Sequence, residues 1–106
     1  KAIELMALGN NFSMEEALQL GIVNTVLDAD NWWESVLEYA GRFVPPNAAS
    51  MAVGRIKRSV QSGAEMGLEA GLSLERELQQ QLFQSDDARE GIRAFNEKRR
   101  AEFCGH

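Results

Sequence analysis

The sequence contains very few of the residues that bind metals or form disulfides. Among its 106 residues there is one cysteine, Cys104, and one histidine, His106. A lone thiol excludes an internal disulfide and a cysteine-based metal cluster, and a lone histidine at the end of the chain gives no basis for a metal site. Low cysteine usage fits a reducing compartment, so we expect a cytoplasmic protein that binds no metal.

Long apolar runs and an excess of positive charge are also missing. No run approaches the roughly 18 residues of a membrane-spanning helix, and the first residues do not form a signal peptide. The net charge is −5, and phosphate neutralisation dominates duplex binding. The charge is uneven, since residues 1–50 hold two basic and seven acidic side chains and residues 51–106 hold nine of each. We therefore expect neither a nucleic acid nor a membrane as a partner.

Helical periodicity is the dominant pattern that the sequence does contain. Apolar residues recur at helical spacing, and capping residues and prolines divide the chain into segments. The pattern predicts an all-α protein of about six helices: one that ends at Gly9, a short one between Ser13 and Gly21, three near residues 30–44, 47–61 and 66–83, and a last one that begins after Ser85. The strongest local signal is Ser13 with Glu16 three residues later, which predicts a capping box.

Two apolar segments do not fit a plain helical pattern. Residues 22–27, IVNTVL, are rich in β-branched side chains, so we expect one short extended segment that is largely buried. Trp32 and Trp33 are adjacent in the predicted third helix, so one ring is expected to point inward and the other outward. The tryptophan pair and the double apolar edge of the long helix near residues 66–83 exceed what a small helical bundle needs.

Three stretches, taken in order, carry a family resemblance: ELMALGNNFSMEEALQLGIVNTVL, PPNAASMAVGRIKRSV and SDDAREGIRAFNEKRRAEF. Their motifs and spacing resemble the C-terminal portion of the crotonase superfamily, the enoyl-CoA hydratases and isomerases. The resemblance covers essentially all 106 residues. It implies that residues 1–106 form the helical C-terminal segment of a crotonase-like chain, without the spiral α/β core that precedes this segment in the family.

The resemblance also implies how such a segment functions. In the family, the core carries the oxyanion hole and the acid–base side chains. No catalytic residue is therefore assigned to this chain, and the chain alone is expected to be catalytically inactive. The C-terminal helices of the family pack on the core, build the trimer and cover the CoA site. The implied partners are therefore a crotonase core or further copies of the chain, with an acyl-CoA thioester as substrate and no separate cofactor.

Two side chains match family positions that contact CoA. Phe95 matches an aromatic residue near the adenosine, and Lys98 matches a lysine near the phosphates, where a flat ring and a compact cation suit those groups. Each also has a purely structural interpretation. Phe95 lies at helical spacing from Ile92 and is a candidate core residue, and residues 98–100 are a candidate solvated helix end favoured by the helix dipole.

Two other functions stay open from the sequence. One is a stand-alone helical protein that self-associates through the trimer-type surface, and the other is a CoA-binding module without catalysis. Whether the chain is an enzyme is not decided by its residues, because none of the family's catalytic positions maps onto it.

Overall fold

All 106 residues are described in a computed structural model. The chain forms two compact units, residues 1–36 and 37–106. It contains six helices and no strand: α1 Ala2–Leu8, α2 Met14–Gln19, α3 Trp32–Gly41, α4 Ser50–Gly63, α5 Leu68–Phe83 and α6 Asp86–Glu97. The predicted all-α fold is confirmed. None of the helices is both long and apolar enough to cross a membrane.

The first unit is organised by the capping residues that the sequence predicts. The Ser13 N–H donates to Glu16 Oε2 at 2.9 Å, and the Glu16 N–H donates to Ser13 Oγ at 3.2 Å, which completes the capping box of α2. Gly9 ends α1 and Gly21 follows α2, with φ values of 64° and 71° that favour glycine. Ala17 on α2 is the one hydrophobic residue that this unit buries.

Residues 22–27 depart from the prediction. They form bends and irregular backbone, and three of their four large apolar side chains are exposed, Ile22 at 55%, Val26 at 41% and Leu27 at 36%, while Val23 is half-buried. The expectation that the segment is largely buried is wrong. β-Branched residues pack well in a strand only where neighbouring strands supply a pleated surface, and this chain has no strand to provide one.

The tryptophan pair shows the same discrepancy. Trp32 and Trp33 are 58% and 51% exposed, and their rings meet edge to face with centroids 5.3 Å apart. The expectation that one ring points inward is therefore wrong. The two rings contact each other, and half or more of each remains open to solvent.

In the second unit, α5 packs against α4 and against α6. Helix α4 begins at Ser50, three residues later than expected, because the carbonyl of Val44 accepts the N–H groups of Asn47 and Ala48 in a separate turn. Leu78 on α5 and Ala94 on α6 are each 2% exposed and form the buried centre. Ser85 caps α6 by accepting the Ala88 N–H at 3.0 Å, as the sequence predicts.

Candidate functional site

The last nine residues turn back along α6 and are held there by Asp87. Its carboxylate accepts the N–H groups of Cys104 at 2.7 Å and Gly105 at 2.9 Å, and its own N–H donates to the His106 carbonyl at 3.0 Å. Asp87 is only 3% exposed. Burial disfavours its charge, but the hydrogen bonds from Cys104 and Gly105 outweigh burial and lower its pKa. An ionised buried carboxylate therefore fixes the tail.

A second acidic residue on α6, Glu90, anchors the start of the tail. The Arg99 Nη1 and Nη2 donate to Glu90 Oε1 and Oε2 at 2.6 and 2.9 Å, and the Glu102 N–H adds a bond of 3.1 Å. Hydrogen bonds from Arg99 and from the Glu102 backbone lower the pKa of Glu90 from 4.5 to about 2. This two-pronged pair is the geometry in which arginine binds carboxylate best. We call Glu90, Arg99 and Asp87 the tail clasp.

Other tail residues contact the turn before α4 and the surface of α6. The Phe103 N–H donates to the Pro46 carbonyl at 3.2 Å, and Arg100 Nη2 donates to Asn47 Oδ1 at 2.6 Å. The ring of Phe103 lies over Gly91, where an added Cβ would come 3.8 Å from the ring. A Cβ at that distance would make an ordinary van der Waals contact, so the ring packs closely on α6 without requiring a glycine at this position.

Lys98 occupies an unusual position at the end of α6. Its backbone is left-handed, with φ 53° and ψ 37°, and it is the only residue other than glycine with a positive φ. The Arg99 N–H donates to the Ala94 carbonyl at 3.1 Å and the Lys98 N–H to the Phe95 carbonyl at 3.3 Å. These two bonds form a Schellman motif, in which the left-handed residue is usually glycine.

The three consecutive basic residues differ in what they contact. Arg99 is paired with Glu90 and with Glu97, whose Oε2 lies 2.6 Å from Arg99 Nε, and Arg100 is bound to Asn47. Lys98 is exposed and has no acidic group within salt-bridge distance, so its ammonium alone is available to a ligand. Residues 98–100 are all exposed and directly follow α6, which ends at Glu97, as the interpretation of a solvated helix end expects. Arg99 and Arg100 in addition bind other groups of the fold.

Phe95 lies on the outer side of the same helix end. Its ring is 84% exposed and Ile92 is 61% exposed, so the alternative that places Phe95 in the core of this chain is wrong. The packed side of α6 instead carries Asp87, Gly91 and Ala94, because the returning tail and α5 lie there. Apolar spacing found the Ile92–Phe95 stripe, but the helix turns it to solvent. Phe95 and Lys98 therefore stand three residues apart at one exposed helix end.

The lone cysteine and histidine form no reactive site. Cys104 Sγ donates to Asp87 Oδ1 at 3.3 Å, and this bond raises the pKa of the thiol, which keeps it protonated. His106 Nε2 lies 3.7 Å from Cys104 Sγ and 4.0 Å from Asp86 Oδ2. No three histidine, cysteine or acidic side chains stand together as metal ligands.

A cleft of about 400 Å³ lies between α4 and α5. Apolar side chains of both helices line it together with Arg55, Glu75 and Gln79. The Nε of Arg55 is buried there without a hydrogen-bond partner. Ile56 and Val60 on α4 also line the cleft and are 60% and 68% exposed.

Comparison with known proteins identifies the family. Residues 1–106 match the family model described as enoyl-CoA hydratase/isomerase. The chain belongs to the enoyl-CoA hydratase/isomerase family. This confirms the crotonase resemblance, and the six helices are consistent with the C-terminal helical part of crotonase-fold proteins.

Individual members of the enoyl-CoA hydratase/isomerase family are similar over nearly the whole chain. A probable enoyl-CoA hydratase of Rhizobium meliloti is 39% identical over 97% of this chain and 39% of its own length. The 2,3-dehydroadipyl-CoA hydratase of Escherichia coli is 31% identical over 98% of this chain and 40% of its own length. A crystal structure of an enoyl-CoA hydratase subunit from Geobacillus kaustophilus superposes with a TM-score of 0.84 at 37% identity, covering 99% of this chain and 40% of that one.

The chain therefore spans about two fifths of the length of the curated relatives it matches. Sequence reasoning found Phe95 and Lys98 through the family motif, and the structure brings both to one helix end. It did not find the tail clasp. The spacing of Asp87, Glu90 and Arg99 does not indicate their contacts, because a tail without periodicity gives no signal of where it packs.

Proposed function

We propose that this chain provides the part of a coenzyme A site that contacts adenosine and phosphate, in a family protein that acts on acyl-CoA thioesters. The supporting observation is the pairing at the end of α6 of a ring that is 84% exposed with an ammonium that has no acidic partner. Phe95 offers a flat apolar face to the adenine, and Lys98 offers a point charge to a phosphate.

The exposed ring supports ligand binding for an energetic reason. An aromatic side chain buries roughly 150–250 Å² when it is covered, so leaving Phe95 in water forgoes a large hydrophobic contribution. Stacking of a base on an aromatic ring contributes about 1–3 kcal/mol in nucleic-acid complexes. The adenine of CoA has the same flat face and can stack on Phe95. The neighbouring Lys98 adds the charge that favours a phosphorylated nucleotide over a neutral one.

The direct test is a titration of the 106-residue chain with CoA, followed by nuclear magnetic resonance. We expect shifts centred on Phe95 and Lys98 that are lost in Phe95→Ala and Lys98→Ala. Lys57→Ala is the matched control, since Lys57 is an exposed lysine on α4 with no recorded ion pair. A wild-type chain whose spectrum is unchanged at millimolar CoA would contradict the proposal.

The chain alone is expected to be catalytically silent, as a non-catalytic CoA-binding module. In the family resemblance the oxyanion donors and the acid–base side chains belong to the core, and none of those positions maps onto these residues. The check is a hydratase assay with an enoyl-CoA substrate. Turnover above the uncatalysed background would contradict this expectation.

A second candidate function, assembly with a family core or with further copies of the chain, is supported by the exposed apolar surface. Only Ala17, Leu78 and Ala94 are buried hydrophobic residues, whereas many large apolar side chains lie in solvent. Exposed apolar surface on this scale marks interaction sites. Sedimentation velocity over a range of concentrations tests self-association, and a clean monomer at high concentration would count against it.

A further inference from the structure

Two helices of this chain end with the same hydrogen-bonding motif but with different residues at its left-handed position. After α2, the Gly21 N–H donates to the Leu18 carbonyl at 3.1 Å and the Ile22 N–H to the Ala17 carbonyl at 2.9 Å. After α6, the equivalent bonds place Lys98 where α2 has Gly21, with φ values of 53° and 71°. Lys98 is thus a lysine at a position where glycine fits without strain.

A side chain at this position works against folding. The left-handed conformation brings Cβ close to the following carbonyl oxygen, so only glycine adopts it freely. Natural proteins depart from such conformational preferences mostly at functional sites, where a gain in function compensates for the lost stability. The ammonium of Lys98 has no acidic partner within the chain, so no ion pair of its own side chain offsets the strain.

The tail clasp explains how the strained residue is kept in place. Arg99, the next residue, is bound by both oxygens of Glu90, and Glu102 donates its N–H to the same carboxylate. Glu90 is eight positions before Lys98 on α6, so it fixes the direction of the chain as it leaves the helix. With Arg99 drawn back onto α6, the Schellman motif closes and Lys98 stays left-handed.

We infer that Lys98 stands at a glycine position for the sake of its ammonium, and that Glu90 and Arg99 are positioning residues that hold it beside Phe95. The ligand is the phosphate group of a CoA-type nucleotide, so this inference rests on the proposed function. It adds two claims to that function. The fold gives up stability for the lysine, and CoA affinity depends on two residues that do not contact CoA.

The first claim is tested by replacing Lys98. Lys98→Gly relieves the left-handed strain, and we expect its Tm to rise by about 4 °C while the CoA-induced shifts disappear. Lys98→Ala removes the ammonium but keeps a Cβ, so it should lose the shifts without the rise in Tm. A Lys98→Gly variant with unchanged or lower Tm, or with wild-type response to CoA, would overturn the claim.

The second claim is tested by loosening the clasp at Glu90 and Arg99. In Glu90→Ala and Arg99→Ala we expect the intraresidue HN–Hα nuclear Overhauser effect of Lys98, which is strong at positive φ because the two protons are close together, to weaken. If the left-handed state falls to a tenth of the population, CoA affinity falls about tenfold. Glu90→Gln keeps an oxygen acceptor, so it should retain part of the left-handed population of Lys98 and part of the CoA affinity. Arg89→Gln, which breaks the exposed Arg89–Asp86 pair elsewhere on α6, is the control and should change neither.

The two readouts separate this inference from the proposed function. A wild-type chain whose spectrum does not respond to CoA contradicts the proposed function, while the HN–Hα Overhauser effect of Lys98 still decides whether Glu90 and Arg99 set its conformation. If CoA binds and Lys98→Ala abolishes binding, but Glu90→Ala and Arg99→Ala change neither the Overhauser effect nor the affinity, the positioning claim is wrong and the proposed function stands.

Discussion

The ends of α2 and α6 show how one chain solves the same structural problem in two ways. Both helices finish in a Schellman motif, and both begin with a serine cap. Helix α2 closes with Gly21, which suits the backbone and carries no side chain. Helix α6 closes with Lys98 and uses a folded tail to hold it. The end of α2 satisfies only backbone groups, whereas the end of α6 also exposes the ammonium of Lys98. The folded tail is needed to keep Lys98 in its left-handed conformation.

The largest expected difference between the two ends comes from Asp87→Ala. The change removes the acceptor of two backbone N–H groups in the tail, and an unsatisfied buried group costs about 1–3 kcal/mol. Urea unfolding should show this loss, and amide exchange should show the tail released. Asp86→Ala, at the exposed neighbouring position, is the control. Equal effects of the two variants would mean that the tail is not held by Asp87.

Gly21→Lys makes the end of α2 resemble the end of α6 without its tail. A lysine in the left-handed region costs about 1–2 kcal/mol, and nothing near α2 compensates. The free energy of unfolding measured in urea should fall by that amount. Gly54→Lys is the matched control, because Gly54 lies inside α4 without a positive φ and with open space at its Cβ. If Gly21→Lys did not lower the free energy of unfolding, the argument that Lys98 is strained would also be wrong.

Acid should weaken the end of α6 and leave the Schellman motif of α2 unchanged. The pKa of Glu90 is lowered by its bonds to Arg99 and Glu102, from 4.5 unfolded to about 2 folded. A depressed carboxyl pKa stabilises the fold above the unfolded value, and this contribution is lost as the pH falls through the folded value. The signals of the Arg99 Nη–H groups, which donate to both Glu90 oxygens, should therefore stay constant down to about pH 4.5 and change toward pH 2. A Glu90→Gln chain should lack this transition, and a wild-type midpoint near 4.5 would contradict the pairing with Arg99.

The smallest effect is expected for Arg89→Gln. Arg89 pairs with Asp86 on the exposed side of α6, with side chains 64% and 59% exposed. Exposed pairs within one helix contribute about 0.3–0.5 kcal/mol and are screened by salt. Thermal unfolding should change by no more than that. A loss as large as that of Asp87→Ala would show that surface charge, and not the tail, stabilises α6.

The parts of the fold that follow from local chemistry could be predicted from the sequence. Ser13, Glu16, Gly9 and Gly21 act within four residues of themselves, so their roles follow from spacing alone. The direction of Phe95 could not be predicted, because periodicity defines a stripe and not what covers it. The exposure of residues 22–27 could not be predicted for the same reason. Their composition suits a buried segment, but whether a surface exists to bury them depends on other residues.

The site was predictable only in part. The family motif singled out Phe95 and Lys98, yet it gave no reason why Lys98 differs from Arg99 and Arg100. That difference arises from contacts with Glu90, Glu97 and Asn47, which lie up to 53 positions away along the chain. Contacts at such separation leave no trace in local spacing.

The way the tail is anchored determines which substitutions it tolerates. Four tail residues are anchored by their backbone N–H groups, which donate to Glu90, Pro46 or Asp87. They are Glu102, Phe103, Cys104 and Gly105. A main-chain donor is the same whatever side chain it carries, so most replacements at 102 and 104 should leave the anchoring intact. Proline is the exception, since it has no N–H to give. The side chains at these two positions can therefore be replaced, while positions 87 and 90 must keep side-chain oxygens that accept the N–H groups.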